Sequence, residues 1–229
     1  MKFLRSLIFY ITFYIGTTCF FLLFSPVRFF NKNFVVFLSG LWTTTVIKLS
    51  KLILGISFEI RGFDNIPKSG SFVIASNHQS AWETFFFGSI FPGSVFILKH
   101  ELKKIPIFSG YFKKLGFIFI KRDKAFDSLK FILKSMKNLT KQSKNIFVIF
   151  PEGTRISPGE RVELNSGVFA IHKYIGLPIL PVKLNSGKYW INKKFKKKSG
   201  KIDVSIFPII EKELDKKKFL NILANHFYK

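Results

Sequence analysis

The sequence predicts an α/β fold: a mixed, mostly parallel sheet flanked by helices, preceded by an N-terminal membrane-attached two-helix segment. Three observations carry this. Short apolar runs bounded by Gly, Pro or polar residues recur beyond Ile56, with helical patterns between them. The chain before that point is far more apolar than the rest. Two of the later runs, Phe72–Ala75 and Ile146–Phe150, stop at polar clusters, and strand ends of α/β sheets are where sites are built. The organisation expected is therefore a helical hairpin anchor over residues 1–56 and one globular domain over 57–229.

Composition narrows the class. The chain has 229 residues, 48% hydrophobic, with 31 Phe and a formal charge of +24. Mean hydropathy is +0.23, high for a wholly water-surrounded domain. The charge calls for an anionic partner: lipid headgroups, nucleic acid, or a phosphorylated or acidic carrier. AT-rich codons favour Lys, Phe, Ile and Asn together, so charge alone identifies nothing. One cysteine, Cys19, excludes an intrachain disulfide and any multi-cysteine zinc site.

From Ser6 to Val27 no residue is charged, roughly 33 Å of helix and enough to cross a bilayer core. Pro26 marks its end. A cleaved signal peptide fits less well, because the run is long and no small-x-small site follows. Phe34 to Ile56 is the second apolar segment. Lys48 and Lys51 lie on one helical face, and their stems can snorkel, so this reads as an amphipathic or shallow helix. A hairpin that dips in and returns keeps both the basic N-terminus and the basic domain on the cytoplasmic side.

Strands follow at Phe58–Ile60, Phe72–Ala75, Val95–Leu98, Gly116–Ile120, Ile146–Phe150, Ile179–Leu184 and Val204–Phe207. Helices are expected from the His78 turn to about Ser89, over Ser128–Lys141 and over Val168–Ile175. Lys99-His-Glu-Leu-Lys-Lys104 lacks the second histidine of a zinc protease. A Gly-rich phosphate loop and a Gly-x-Ser-x-Gly elbow are both missing, which disfavours nucleotide-fuelled chemistry and a serine acyl-enzyme.

The chemistry-bearing residues sit in two clusters. In Ser76-Asn-His-Gln-Ser-Ala-Trp-Glu83, Ser80 and Glu83 have capping-box spacing. His78 and Glu83 would be about 140° apart on one regular helix. They can meet only if His78 lies on the turn before it. Glu83 would then orient the imidazole and fix its tautomer; the alternative is a turn histidine with a capping glutamate. In Phe150-Pro-Glu-Gly-Thr-Arg155, Gly153 permits an unusual dihedral and Arg155 can hold a phosphate with forked hydrogen bonds. Glu152 could accept from a substrate hydroxyl or brace Arg155. Arg122 stands at the end of another strand.

Together these blocks resemble the glycerophospholipid acyltransferase family, nearest to its bacterial members that acylate 1-acyl-sn-glycerol 3-phosphate. Gly116-Phe-Ile-Phe-Ile-Lys-Arg122 looks like that family's second block and Leu180-Pro-Val182 like its fourth. The resemblance spans about Phe58 to Gly187. The family's usual Asp is Glu83 here, as in a subset with Trp-Glu-Thr, which lengthens the reach to His78 by about 1.3 Å.

The resemblance implies transfer of a fatty acyl group from a thioester, acyl-CoA or acyl carrier protein, to lysophosphatidic acid. His78 would be the base and Glu83 its orienter. Arg122, Glu152, Gly153, Thr154 and Arg155 would bind the substrate. Pro181 and Val182 would mark an acyl-donor or oxyanion region. No cofactor, metal or nucleic acid is implied, and the location is the cytoplasmic membrane of a bacterium. Another acceptor lipid, or a basic lipid-binding protein without activity, is the alternative.

Overall fold

The computed structural model describes residues 1–105, 108–121, 125–210 and 214–229, the side chains of Arg28 and Ala125 aside. Its sheet contains β1 (Ile56–Arg61), β2 (Phe72–Ser76), β3 (Val95–Lys99), β4 (Ile118–Ile120), β5 (Ile146–Ile149), β6 (Ile179–Leu184) and β7 (Gly200–Ile206). The helices are α1 (Lys2–Leu23), α2 (Lys32–Leu49), α3 (Trp82–Ile90), α4 (Phe108–Lys114), α5 (Ala125–Gln142), α6 (Gly167–Ile175) and α7 (Lys216–Tyr228).

Strand order is β1-β7-β6-β2-β5-β3-β4. β6, β2, β5, β3 and β4 run parallel, while β7 pairs antiparallel with β6 and parallel with β1. The mixed, mostly parallel expectation is met. Each strand read from an apolar run is present within a few residues, although Val204–Phe207 begins earlier, at Gly200.

The central strands are apolar throughout because both faces are covered. Phe72 and Ile74 of β2 point into one core with Trp82, Phe86 and Phe87 of α3. Val73 and Ala75 point into the other, with Val168 and Ile171 of α6 and Phe219 and Leu223 of α7. Chain leaving β2 crosses one face through α3 to reach β3. Chain leaving β5 crosses the opposite face through α6 to reach β6. Neighbouring strands β2 and β5 thus send their connections opposite ways, the arrangement that opens a crevice at strand ends.

The N-terminal helices are built into this body. Phe9, Ile47 and Leu54 belong to the same core as α3. Trp42 of α2 packs against Phe13, Phe20 and Phe21 of α1. At Gly88 an added Cβ would lie 2.8 Å from the Thr43 side chain, so glycine lets α3 and α2 approach closely. Asn31 caps α2, accepting from the Phe34 N–H at 2.8 Å. α2 continues through a π turn, Ser50–Leu54, and ends at Gly55 in the left-handed region.

Both Lys2–Leu23 and Lys32–Leu54 are long and apolar enough to cross a membrane, with mean hydropathies of 1.8 and 1.3. Phe3, Leu4, Ile8, Ile11 and Ile15 of α1 and Phe37 and Leu41 of α2 are exposed. Two helices escaped sequence reading. α4 secures the α1–α2 connection, with the Tyr111 hydroxyl donating to the Phe24 carbonyl at 2.9 Å and Lys114 Nζ to the Phe30 carbonyl at 2.8 Å. α7 covers the second core.

Candidate active site

His78 lies between β2 and α3, on the turn and not on the helix, as its spacing to Glu83 requires. Its Nδ1 stands 2.7 Å from Glu83 Oε2. Glu83 is fully buried, and its other oxygen accepts the N–H of Gln79 at 3.1 Å and of Ser80 at 2.9 Å. The Ser186 hydroxyl also donates to that oxygen. A carboxylate receiving so many donors takes the Nδ1 proton as a further one. Nε2 is then the bare ring nitrogen.

The capping box appears in modified form. Glu83 reaches back to the Ser80 N–H, and Ser80 Oγ accepts from the Trp82 N–H at 3.1 Å. α3 itself starts at Trp82. Glu83 therefore both caps the turn and meets the imidazole, so the geometry of each sequence reading is present in one arrangement. The longer side chain suits the two tasks: one oxygen caps while the other extends to the ring.

Phe150 stacks on the imidazole with centroids 3.9 Å apart and planes 18° from parallel. Only 13% of the His78 side chain is exposed. The loop after β5 folds back by a turn in which the Gly153 N–H donates to the Phe150 carbonyl at 3.0 Å. Pro151 supplies the bend and Gly153 takes φ +70°, where an L side chain is strained. The Ile156 N–H donates to the His78 carbonyl at 2.8 Å, tying the two loops together.

Glu152 does not brace Arg155. Its Oε2 accepts the backbone N–H of His78 at 2.7 Å and its Oε1 accepts the Tyr228 hydroxyl at 2.9 Å. Burial pushes its carboxyl up to about 7, opposed by those two hydrogen bonds and assisted by the charge of Glu83. Arg155 is exposed and turns outward, donating to Asn192 Oδ1 at 3.4 Å. Thr154 is exposed beside it.

Asn192 belongs to a basic loop held against α1. Phe195 stacks on Tyr10 at 5.2 Å, and Ser6 Oγ accepts the Lys197 N–H at 2.9 Å. Lys197 is buried, its Nζ donating to the Ile191 and Lys194 carbonyls at 2.8 and 2.7 Å. Burial, then the charge of Arg155, lowers its ammonium to about 8.

The sequence-predicted residues divide into groups. His78, Glu83 and Glu152 are joined by direct hydrogen bonds, with Gly153, Thr154 and Arg155 on the adjoining turn. Pro181 and Val182 lie in β6, level with Ala75 and Ser76 of β2. Pro181 sits where β7 departs, its carbonyl accepting from the Phe207 N–H at 3.0 Å, so its missing N–H costs little. Arg122 lies outside the described residues.

Several participants were not singled out from sequence. Asn77 extends the β2–β6 pairing, with Nδ2 donating to the Leu184 carbonyl at 2.9 Å and Oδ1 accepting the Leu184 N–H at 2.8 Å. Gln79 Oε1 accepts the Gly187 N–H at 3.1 Å. Asn77 and Gln79 flank His78 in sequence, a signal that was available. Ser186 and Tyr228 had none, being 103 and 76 residues from their partners.

An oriented, partly shielded imidazole beside an arginine-bearing turn at the ends of adjoining parallel strands is an arrangement able to take a proton from a hydroxyl near an anion. The family model described as Acyltransferase matches residues 57–185. A 1-acyl-sn-glycerol-3-phosphate acyltransferase of Pseudomonas aeruginosa is 35% identical over 215 residues, covering 92% of this chain and 82% of that one. A namesake from Borreliella burgdorferi is 29% identical over 198 residues, covering 84% and 78%. The crystal structure of the 1-acyl-sn-glycerophosphate (LPA) acyltransferase PlsC from Thermotoga maritima shares the fold, with TM-score 0.81, 21% identity and coverage of 100% and 95%. The chain belongs to the acyltransferase family.

Proposed function

We propose that this enzyme moves a fatty acyl group from an acyl thioester to the free hydroxyl of 1-acyl-sn-glycerol 3-phosphate, forming phosphatidic acid. The observation that carries the reading is the 2.7 Å contact between His78 Nδ1 and Glu83, which leaves Nε2 as the proton acceptor. The names of the Pseudomonas and Borreliella relatives support the acceptor.

In this reading the acceptor hydroxyl oxygen attacks the thioester carbonyl carbon while its proton passes to His78 Nε2. The tetrahedral intermediate collapses, the C–S bond breaks, and the proton leaves on the departing thiolate. A positioned base of this kind is worth about 10² to 10⁴ in rate. Glu83 holds the ring and stabilises its charged form. Arg155, with Arg122, binds the phosphate, and Glu152, Gly153 and Thr154 shape the turn beside it. The thioester, acyl-CoA or acyl carrier protein, is a co-substrate, and the reaction calls on no metal.

The exposed apolar faces of α1 and α2 support residence in the bilayer, and the basic N-terminus and domain support the cytoplasmic side of a bacterial inner membrane. Membranes carrying the protein, incubated with labelled acyl thioester and a panel of lyso-acceptors, test the proposal. Transfer to lysophosphatidic acid, abolished in His78→Ala, is expected. Transfer only to a phosphate-free acceptor replaces the substrate assignment, and no transfer to any acceptor leaves a lipid-binding protein.

A further inference from the structure

Glu152 is joined to His78 through the backbone, not the ring. A glutamate side chain held by one oxygen still rotates about that contact. Two donors, one on each oxygen, fix both its direction and its plane. The second donor comes from the far side of the fold. Phe219, Leu223 and Phe227 seat α7 in the second core. Tyr228, about 100° further round the helix than Phe227, reaches Glu152 Oε1 at 2.9 Å. A longer contact of 3.4 Å runs from the same hydroxyl to the Val162 carbonyl, so its single proton is directed at the carboxylate. The Tyr228 carbonyl accepts from Arg161 Nη2 at 3.2 Å, holding the end of α7 to the loop that follows Arg155.

We propose that Tyr228 is a positioning residue for His78: its hydroxyl fixes Glu152, and Glu152 fixes the backbone from which the imidazole projects. The inference rests on the acyl-transfer reading only in using turnover as one readout. The titratable groups facing Glu152 are His78 and Glu83 from the β2–α3 turn and Tyr228 from α7. Arg155, on the same loop, turns away to Asn192. Desolvation and the charge of Glu152 hold the Tyr228 phenol well above its ordinary range, so it remains a donor at working pH.

The test is Tyr228→Phe in the full chain in detergent, which keeps the ring and its packing. Removing a hydrogen bond to the ionised carboxylate favours its protonated form. The acid limb of the kcat profile is therefore expected to move up by roughly one pH unit, with a loss of about tenfold near neutrality. KM for thioester and for acceptor should stay within about twofold. Carbon-13 NMR of glutamate-labelled protein should show the Glu152 carboxyl titrating at correspondingly higher pH. In a Glu152→Gln background the same substitution should change nothing further. A pH profile and Glu152 titration superimposable on wild type, whatever the loss of rate, overturn the proposal. An equal loss in the Glu152→Gln background also overturns it. Absence of turnover in the wild type strikes the acyl-transfer reading alone, since the NMR titration still decides the role of Tyr228.

Discussion

Glu83 receives His78 Nδ1 at 2.7 Å with one carboxylate oxygen and caps the start of its own helix with the other. Alignment of the imidazole and the beginning of α3 therefore depend on one side chain. Glu83→Gln keeps the length but turns an N–H₂ group toward donors on one side or the other. We expect acyl transfer to fall by about 10² or more, with a clear drop in thermal stability from the buried mismatch. Glu83→Asp keeps the charge but shortens the reach. It should retain more activity than the glutamine variant, because one of the two contacts can still form. Steady-state rates and melting curves on the two variants check this, and a fully active, stable glutamine variant would contradict it.

Acidity acts on activity and stability in opposite directions at Glu152. Burial raises its carboxyl to about 7, above the ordinary value near 4.5 that an unfolded chain has. Between those values the native protein holds a proton that the unfolded chain lacks. The favourable contribution of this group is present in full below the unfolded value and is lost as pH rises through the folded one. The ionised form, however, is the one that accepts from both His78 and Tyr228. The kcat profile is expected to lose one acid-limb ionisation near pH 7 in Glu152→Gln, whose side chain does not titrate. An unchanged limb would assign that ionisation elsewhere.

Arg155, the proposed phosphate ligand, offers a way to separate recognition of the phosphate from recognition of the thioester. Its guanidinium is exposed, with one 3.4 Å contact to Asn192, so removing it leaves the fold intact. Arg155→Ala should raise KM for lysophosphatidic acid by about tenfold or more and leave KM for the thioester nearly unchanged. Equal increases in both constants would count against a phosphate-binding role.

The N-terminal helices are part of the folded core as well as the proposed membrane attachment. Phe9, Ile47 and Leu54 lie in the core shared with α3, so deleting residues 1–56 should yield aggregated protein instead of a released soluble domain. Charges placed on the outward face, as in the pair Ile8→Asp and Ile11→Asp, should weaken vesicle binding with little change in melting temperature. Sedimentation with anionic vesicles measures the first effect and thermal unfolding in detergent the second.

Much of this was legible in the sequence for a physical reason. β2 and β5 are buried on both faces, so they appear as unbroken apolar runs, and the polar residues after them mark the strand ends. The five-residue step from His78 to Glu83 placed the histidine off the helix. Legibility failed where partners are distant. Tyr228 meets Glu152 only because α7 closes over the second core, and α7 begins Lys216-Lys-Lys218 with its apolar positions spread thinly along a polar helix. Ser186 reaches Glu83 only because β6 lies beside β2. Spacing alone left Glu152 either accepting from a substrate hydroxyl or bracing Arg155, and the fold sets the bracing aside by giving its two oxygens to the His78 N–H and the Tyr228 hydroxyl.

The loop from Trp190 to Lys197 rests on α1 at both ends and meets Arg155 between them. Phe9 packs on Trp190, Tyr10 on Phe195, Ser6 holds Lys197, and Asn192 takes the arginine. Arg155 thus stands at a set height above whatever surface α1 rests on. With α1 in a bilayer, as proposed, that height would act as a depth gauge: headgroups lying at one level would be engaged, and a lyso-lipid dispersed in bulk water would gain nothing from the alignment.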